Sequence, residues 1–179
     1  MTAINKTPKN KNYLAPSGMS FVLKRSPTVE FFCQTANIPG LMFPSIPEQS
    51  NPFISIPQTG DHLMFEELQI TFKVDEDMKN YREIWNWLFN TGYPEDAQTS
   101  IDLYNTPTWT GEGIVSDGSL IIYTNEKNPN IEIRFEGLMP ISISSIMMDT
   151  KDQTVDYVEA TATFRFTMYK FDILRPQQE

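Results

Sequence analysis

Hydrophobic and polar residues alternate with a period of two through several stretches of the chain, the longest being "EATATFRFTMYKFDIL", residues 159 to 174. Ala160, Ala162, Phe164, Phe166 and Met168 fall on one side of an extended chain, and Thr161, Thr163, Arg165, Thr167 and Tyr169 on the other. At Lys170 the alternation changes phase, because Phe171 and Ile173 continue the Thr/Tyr side. A strand of about 14 residues at roughly 3.3 Å each spans about 45 Å, far beyond the common strand length. "HLMFEELQITFKVD" predicts another strand, with Leu68, Ile70, Phe72 and Val74 on an apolar face and Glu67, Gln69, Thr71 and Lys73 on a polar one. "SFVLKR" reads as a short strand, and "TVEFFCQTANIPG" as one in which Val29, Phe31 and Cys33 alternate with Glu30, Phe32 and Gln34. After "GSLIIYT" and a polar turn at 125–130, Ile131, Ile133 and Phe135 alternate with Glu132, Arg134 and Glu136, and "MPISISSIMM" forms one more strand.

The period lengthens once, in "DEDMKNYREIWNWLFNTG", which predicts a helix over 75–91. Asp75 is placed to cap it, Glu76 and Asp77 suit the positive end of its dipole, and Gly92 stops it. Met78, Tyr81, Ile84, Trp85 and Leu88 form the inward stripe, which leaves Trp87 off it, either folded back on the body or set for a partner contact. Residues 93–118 are turn-rich and show no clear period. The expected fold is mainly β: an antiparallel β-sandwich or half-barrel of about seven strands with one flanking α-helix.

Residues 39–60 break the pattern. Five prolines exclude a helix and a central strand, yet Leu41, Met42, Phe43, Ile46, Phe53, Ile54 and Ile56 are too apolar for a solvated loop. Such an excursion lies either on its own domain or on a neighbouring subunit. The domain reading is a flexible basic arm over 1–13 followed by a single β domain over 14–179.

Composition narrows the chemistry. With 40 % hydrophobic and 12 % aromatic residues in 179, the chain builds a core without metal or disulfide support. Cys33, the one cysteine, forms no internal bridge and reads as a buried structural thiol; His62, the one histidine, builds no His-rich metal site. No membrane-length apolar run and no secretory h-region are present, so a soluble, cytoplasmically made protein is expected. The net charge is −9; the first 12 residues hold three lysines and no acid, leaving 23 acids against 11 bases, or −12, for the remainder. Such a body does not grip phosphate, although it can enclose DNA without holding it. No phosphate-cradling glycine motif, nucleophile elbow or calcium loop occurs, and Glu66 and Glu67, as strand neighbours, point to opposite faces and cannot act as a glycosidase pair. No catalytic residue, cofactor or metal is assigned, and no enzymatic activity is expected.

The order of "FFCQTANIPG", the proline-rich excursion, "LQITFKVDED" entering "MKNYREIWNWL", "IEIRFEGLMPISISSIMMDT" and "VEATATFRFTMYKF" resembles the tail tube proteins of contractile-tailed, T-even-like bacteriophages over about residues 28–170. The resemblance rests on Cys33, Ala36 and Pro39 in Cys-x-x-Ala-x-x-Pro, on the "DED" before the helix, and on Gly137 to Pro140 in "GL-x-P". It implies a flanked β-sandwich whose inner sheet is completed into a barrel in a ring of six. Such rings stack inside a contractile sheath in the virion tail and form the conduit for DNA ejection. The implied partners are further copies of the chain, the sheath, the baseplate and the tape measure, with DNA passing unbound and no membrane. On this reading the excursion residues and Trp87 form the subunit interface. Glu67, Gln69, Thr71, Glu132, Glu136, Thr161, Thr163, Arg165 and Thr167 are the candidates to face the lumen, where acids repel phosphate. The basic arm, the excursion and the 93–118 insertion depart from the usual tube subunit and leave open a specialised ring at the baseplate or tail end. A different class, a monomeric carbohydrate-binding sandwich, would use Trp87, Trp109 and Tyr104 as stacking platforms.

Overall fold

The computed structural model describes residues 11–48, 53, 56–92, 97–106, 113–149 and 157–174. The basic stretch 1–10 therefore lies outside the described residues. The chain opens with strand β1 (Met19–Leu23), helix α1 (Pro27–Phe32) and strand β2 (Cys33–Ala36). The strand expected over 29–34 is thus a helical turn followed by a strand. Pro27 fits the first turn of α1, where its fixed φ and missing N–H cost nothing. Val29 enters the core and Phe31 is 84 % exposed, so their spacing did not mark one face of a strand.

Four short strands follow: β3 (Leu41–Met42), β4 (Ser45–Glu48), β5 (Ile56–Thr59) and β6 (Met64–Phe65). β3 pairs antiparallel with β6 and β4 with β5, so the proline-rich excursion is a two-stranded arm outside the main sheet. The remainder comprises β7 (Leu68–Lys73), α2 (Lys79–Gly92), α3 (Ala97–Asn105), β8 (Ser116–Tyr123), β9 (Pro129–Ile143), β10 (Glu159–Arg165) and β11 (Met168–Ile173). α3 falls in the stretch that showed no period.

All pairings in the main sheet are antiparallel, in the order β1-β8-β9-β10-β7-β2, with β11 also on β9. β9 belongs to both halves. Its first part pairs with β8 and β11, and its second part with β10. The bend between them lies at Gly137, whose φ of +68° suits glycine. The C-terminal stretch is correspondingly two strands. Arg165 stands opposite Met139 and Met168 opposite Glu136, so the end of β10 and β11 follow β9 in one register around its bend, after a register shift between Thr163 and Phe164. The phase changes at Thr167, earlier than Lys170: Tyr169 already lies on the core side, with ring centroids 5.7 Å from both Phe135 and Phe166. The bend of the partner strand sets this position.

The core joins Phe21, Leu23, Leu120, Ile133 and Phe135 from one half of the sheet to Leu68, Ile70, Phe72, Ala162 and Phe164 from the other. Val29, Ile84 and Trp87 close it from the helices. Each fully buried side chain of this size is worth about 1.5–3 kcal/mol. The fold is mainly β and antiparallel, as the alternation predicted, with three helices rather than one among the described residues.

α2 begins at Lys79 rather than at 75. Asp75 still caps it, its Oδ1 accepting from the Lys79 N–H at 2.6 Å. Its buried positions are Asn80, Ile84 and Trp87. The stripe predicted through Trp85 is corrected: Trp87 is 1 % exposed and Trp85 44 %. Asn80 is the reason. Its Nδ2 donates to the Lys73 carbonyl at 2.8 Å, which places a polar residue on the inner face and hides the true phase of the apolar ones.

Candidate functional site

The outer face of β7 and β10 gathers most of the predicted polar positions. Gln69 stands opposite Thr163 and Thr71 opposite Thr161, whose hydroxyl oxygens are 3.3 Å apart. Thr35 of β2 continues this row beyond Thr71. At one end Arg165 donates to Glu67 Oε1 from Nη2 at 3.1 Å and from Nε at 3.3 Å. At the other end Lys73 stands opposite Glu159. Hydroxyls and an amide therefore occupy the centre, each end carries one charge of each sign, and these four charged residues sum to zero.

Glu132 and Glu136 lie elsewhere, on the first part of β9 beyond the Gly137 bend. Glu132 pairs with Arg134 at 3.2 Å, Arg134 with Asp172 at 3.1 Å, and Glu136 with Lys170 at 2.9 Å. A hydrogen bond from Ser119, and then one from Arg134, hold the Glu132 carboxyl below the usual carboxylate range. Thr167 sits at the bend, its N–H donating to the Glu136 carbonyl at 2.9 Å. The fold does not bring the three candidate glutamates into one acidic wall; each meets a basic partner.

The arm is fixed at its root. Where β2 ends, the Asn37 side chain takes the place of a strand: Nδ2 donates to the Glu67 carbonyl at 3.0 Å and Oδ1 accepts from the Gln69 N–H at 2.7 Å. Tyr169 donates its hydroxyl to the Pro39 carbonyl at 3.0 Å, and the Glu66 N–H donates to the Gly40 carbonyl at 3.0 Å. Beyond this root, Leu41, Met42, Phe43 and Phe53 are exposed, and so are Leu63 and Met64, which the sequence reading did not select. The pairing of Met64 with Met42 was the missed signal. Ile46 lies in β4 opposite Gln58, and Ile56 in β5 opposite Glu48. Ile54 lies outside the described residues.

Trp87 is no surface contact. Its Nε1 donates to the Ile114 carbonyl at 2.8 Å, and the Arg25 guanidinium lies 4.9 Å from its ring centroid. Burial removes it both from an interface and from a carbohydrate platform; Tyr104 is exposed on α3, and Trp109 lies outside the described residues. The exposed aromatic pair is instead Trp85 and Phe89, stacked with centroids 4.8 Å apart.

Two further surfaces are sheet edges. β8 pairs with β9 only as far as Leu138, so among the described residues the stretch 139–143 has β10 on one side and an open edge on the other. Among the described residues β2 likewise pairs on one side only, with β7. Because β9, β10, β7 and β2 alternate in direction, the two open edges run oppositely. Among the described residues no group of His, Cys, Asp and Glu is placed to hold a metal, and no helix is long and apolar enough to cross a membrane. Burial pushes the Cys33 thiol up to about 11, which keeps it protonated and inert near neutral pH.

Comparison with curated proteins finds no match. Among solved structures, the fold is similar to a chain of the anti-feeding prophage tube terminating cap, with a TM-score of 0.64 and 10 % identity over 97 % of this chain and 99 % of that one. It is also similar to a chain of the PVC sheath-tube complex of an extracellular contractile injection system, in the extended state (TM-score 0.57, 8 % identity, 92 % and 94 % covered). A third is a chain of the anti-feeding prophage baseplate (TM-score 0.55, 9 % identity, 93 % and 96 % covered). Identities this low establish a shared fold alone. The phage tail tube protein family model, by contrast, matches residues 3–172, nearly the whole chain, and with that match the chain belongs to the phage tail tube protein family.

Proposed function

We propose that this structural, tube-like protein is the repeating subunit of rings that stack into the phage tail tube, the conduit for DNA inside a contractile sheath. The observation that carries the reading is the four-stranded unit β9-β10-β7-β2, with a polar outer face and two edges of opposite direction that are open among the described residues. Setting the β2 edge of one copy beside residues 139–143 of the next continues the antiparallel alternation. It also covers both edges, which otherwise invite uncontrolled pairing. Such a head-to-tail contact is heterologous, and it closes into a ring when the rotation per subunit permits. Six copies is the number the family resemblance implies.

In that ring the face carrying Thr161, Thr163, Gln69 and Thr71 lines the channel, and DNA passes along it without specific binding. The apolar arm, held firmly at its root, reaches a neighbouring copy, where Leu41, Met42, Phe43 and Met64 lose their exposure. Sheath, baseplate and tape measure are the remaining partners, assembly takes place in the host cytoplasm, and the protein carries out no reaction. The arm and α3 also suit a specialised ring at the baseplate or tube end. The copy number in the particle separates this from the repeating subunit.

Size-exclusion chromatography with light scattering, followed by electron microscopy of the same fractions, tests the proposal. Rings or stacked tubes are expected. A strict monomer at every concentration, in both the presence and absence of the other tail proteins, overturns it.

A further inference from the structure

The two edges that meet in the proposed ring share an irregularity. Along β2 the register against β7 shifts between Cys33 and Thr35, so Gln34 is an extra residue. Along the second part of β9 the register against β10 shifts likewise. Phe164 stands opposite Pro140 and Thr163 opposite Ser142, so Ile141 is extra. These bulges break the period of two in the same way. On β2, Cys33 and Ala36 pack against the core, whereas Thr35 stands beside Thr71 on the outer face. The Gln34 amide lies within hydrogen-bonding distance of Glu159 and Lys73, on that same outer face. On β9, Pro140 is buried and Ile143 packs against the core, whereas Met139, Ile141 and Ser142 are exposed. Each edge therefore carries two inward residues three positions apart, with two outward residues between them.

This spacing selects a register. In an antiparallel pairing of the two edges, both inward pairs meet only when Cys33 stands beside Ile143 and Ala36 beside Pro140. Gln34 then falls beside Ser142, Thr35 beside Ile141 and Asn37 beside Met139. A slip of one residue sets each inward residue against an outward one. Pro140 has no N–H, so its pair with Ala36 contributes one bond at most. The same register gives Met139 a place to go. This large apolar side chain stands opposite Arg165, 37 % exposed, on a face otherwise rich in hydroxyl, amide and charged groups. Asn37, its partner in the other copy, borders a hollow of about 680 Å³ lined also by Met64, Phe65, Phe166, Glu67 and Arg165. A flexible thioether suits such an irregular, partly aromatic lining.

We propose that successive copies join in this one register, bulge against bulge, and that Met139 of each copy seats in the hollow beside Asn37 of its neighbour. The inference rests on the edge-to-edge ring reading and names the residues of its junction. The seat is incomplete in a single copy, because Met139 and the hollow belong to opposite edges of the four-stranded unit.

The test uses the full-length chain in a Cys33→Ser background, assembled and then treated with a mild oxidant. Thr35→Cys is combined in turn with Met139→Cys, Ile141→Cys and Ile143→Cys. Within one copy these positions are three strand spacings apart, about 14 Å, too far for a disulfide, so any link joins two copies. The Ile141→Cys pair should give a ladder of covalent multimers on a non-reducing gel, and each shifted pair at least about tenfold less. Separately, Met139→Ser should raise the concentration needed for assembly at least about tenfold with unchanged unfolding of the monomer, and Met139→Leu should restore it. Preferential linking of a shifted pair, or of none, in intact rings overturns the register and leaves the ring reading standing. Assembly of Met139→Ser at the parental concentration overturns the seat. A parent chain that forms no rings removes the inference together with the reading beneath it.

Discussion

Trp87 donates its indole N–H to the Ile114 carbonyl at 2.8 Å, joining the core face of α2 to the chain just before β8. Phenylalanine would keep most of the burial and lose the bond. Trp87→Phe should therefore destabilise the monomer by about 1–3 kcal/mol, the cost of leaving a buried acceptor unpaired, whereas Trp85→Phe should stay within about 0.5 kcal/mol. Urea unfolding of the two variants checks the order. A larger loss at position 85 would contradict the assigned face of α2.

Gly137 bends β9 between the two halves of the sheet with φ +68°, and a Cβ built there would lie 2.6 Å from Thr167 Oγ1. Gly137→Ala should cost about 1–3 kcal/mol through backbone strain. Hydrogen exchange should show it first in β11, which follows β9 around the bend. A variant as stable as the parent would mean that the bend tolerates an ordinary residue.

How far the sequence revealed this architecture depends on whether a local pattern was also the deciding force. β7 and the first part of β9 bury strictly alternate residues, so Leu68, Ile70, Phe72, Ile133 and Phe135 were legible, as was the hydroxyl face with Thr71 and Thr161. The Trp85/Trp87 exchange was not, because buried Asn80 is polar and its use appears only once the Lys73 carbonyl is beside it. The phase change at Thr167 is imposed by Gly137 on another strand, and no window around 167 contains that cause. α1 was masked because a single turn and a strand joined end to end imitate alternation at Val29, Phe31 and Cys33. The pairing of Glu67 with Arg165 and of Glu136 with Lys170 depends on register, which charge counts cannot supply.

Asn37 substitutes for a strand against Glu67 and Gln69. Asn37→Ala should speed exchange of the Gln69 amide and lower stability by about 0.5–1.5 kcal/mol, an exposed site being partly rescued by water. An unchanged Gln69 exchange rate would show that the side-chain bond is not formed in solution.

Cys33 has a thiol raised from 9.0 to about 11 by burial. Maleimide labelling of the folded protein at pH 8 should be slow and become fast on unfolding. Because the unfolded thiol ionises first, this group favours the folded state fully below about pH 9, and that contribution is lost as pH rises through about 11. Rapid labelling of folded protein would contradict the burial.

Removing residues 42–56 takes away most of the arm but leaves Asn37, Gly40 and the whole core in place. The truncated chain should fold with the parental circular dichroism spectrum and remain monomeric under conditions in which the parent assembles. Polymerisation at the parental rate would show that the arm serves its own subunit.

In the proposed tube, copies of this chain close edge to edge into a ring whose channel is lined by the hydroxyl face of β7 and β10. An electron cryo-microscopy map of the assembled protein at side-chain resolution tests this most directly. The expected map has β2 of each copy beside residues 139–143 of the next, with Thr161 and Thr163 facing the channel. A ring with those threonines on its outer wall, or one in which both edges remain open, would contradict it.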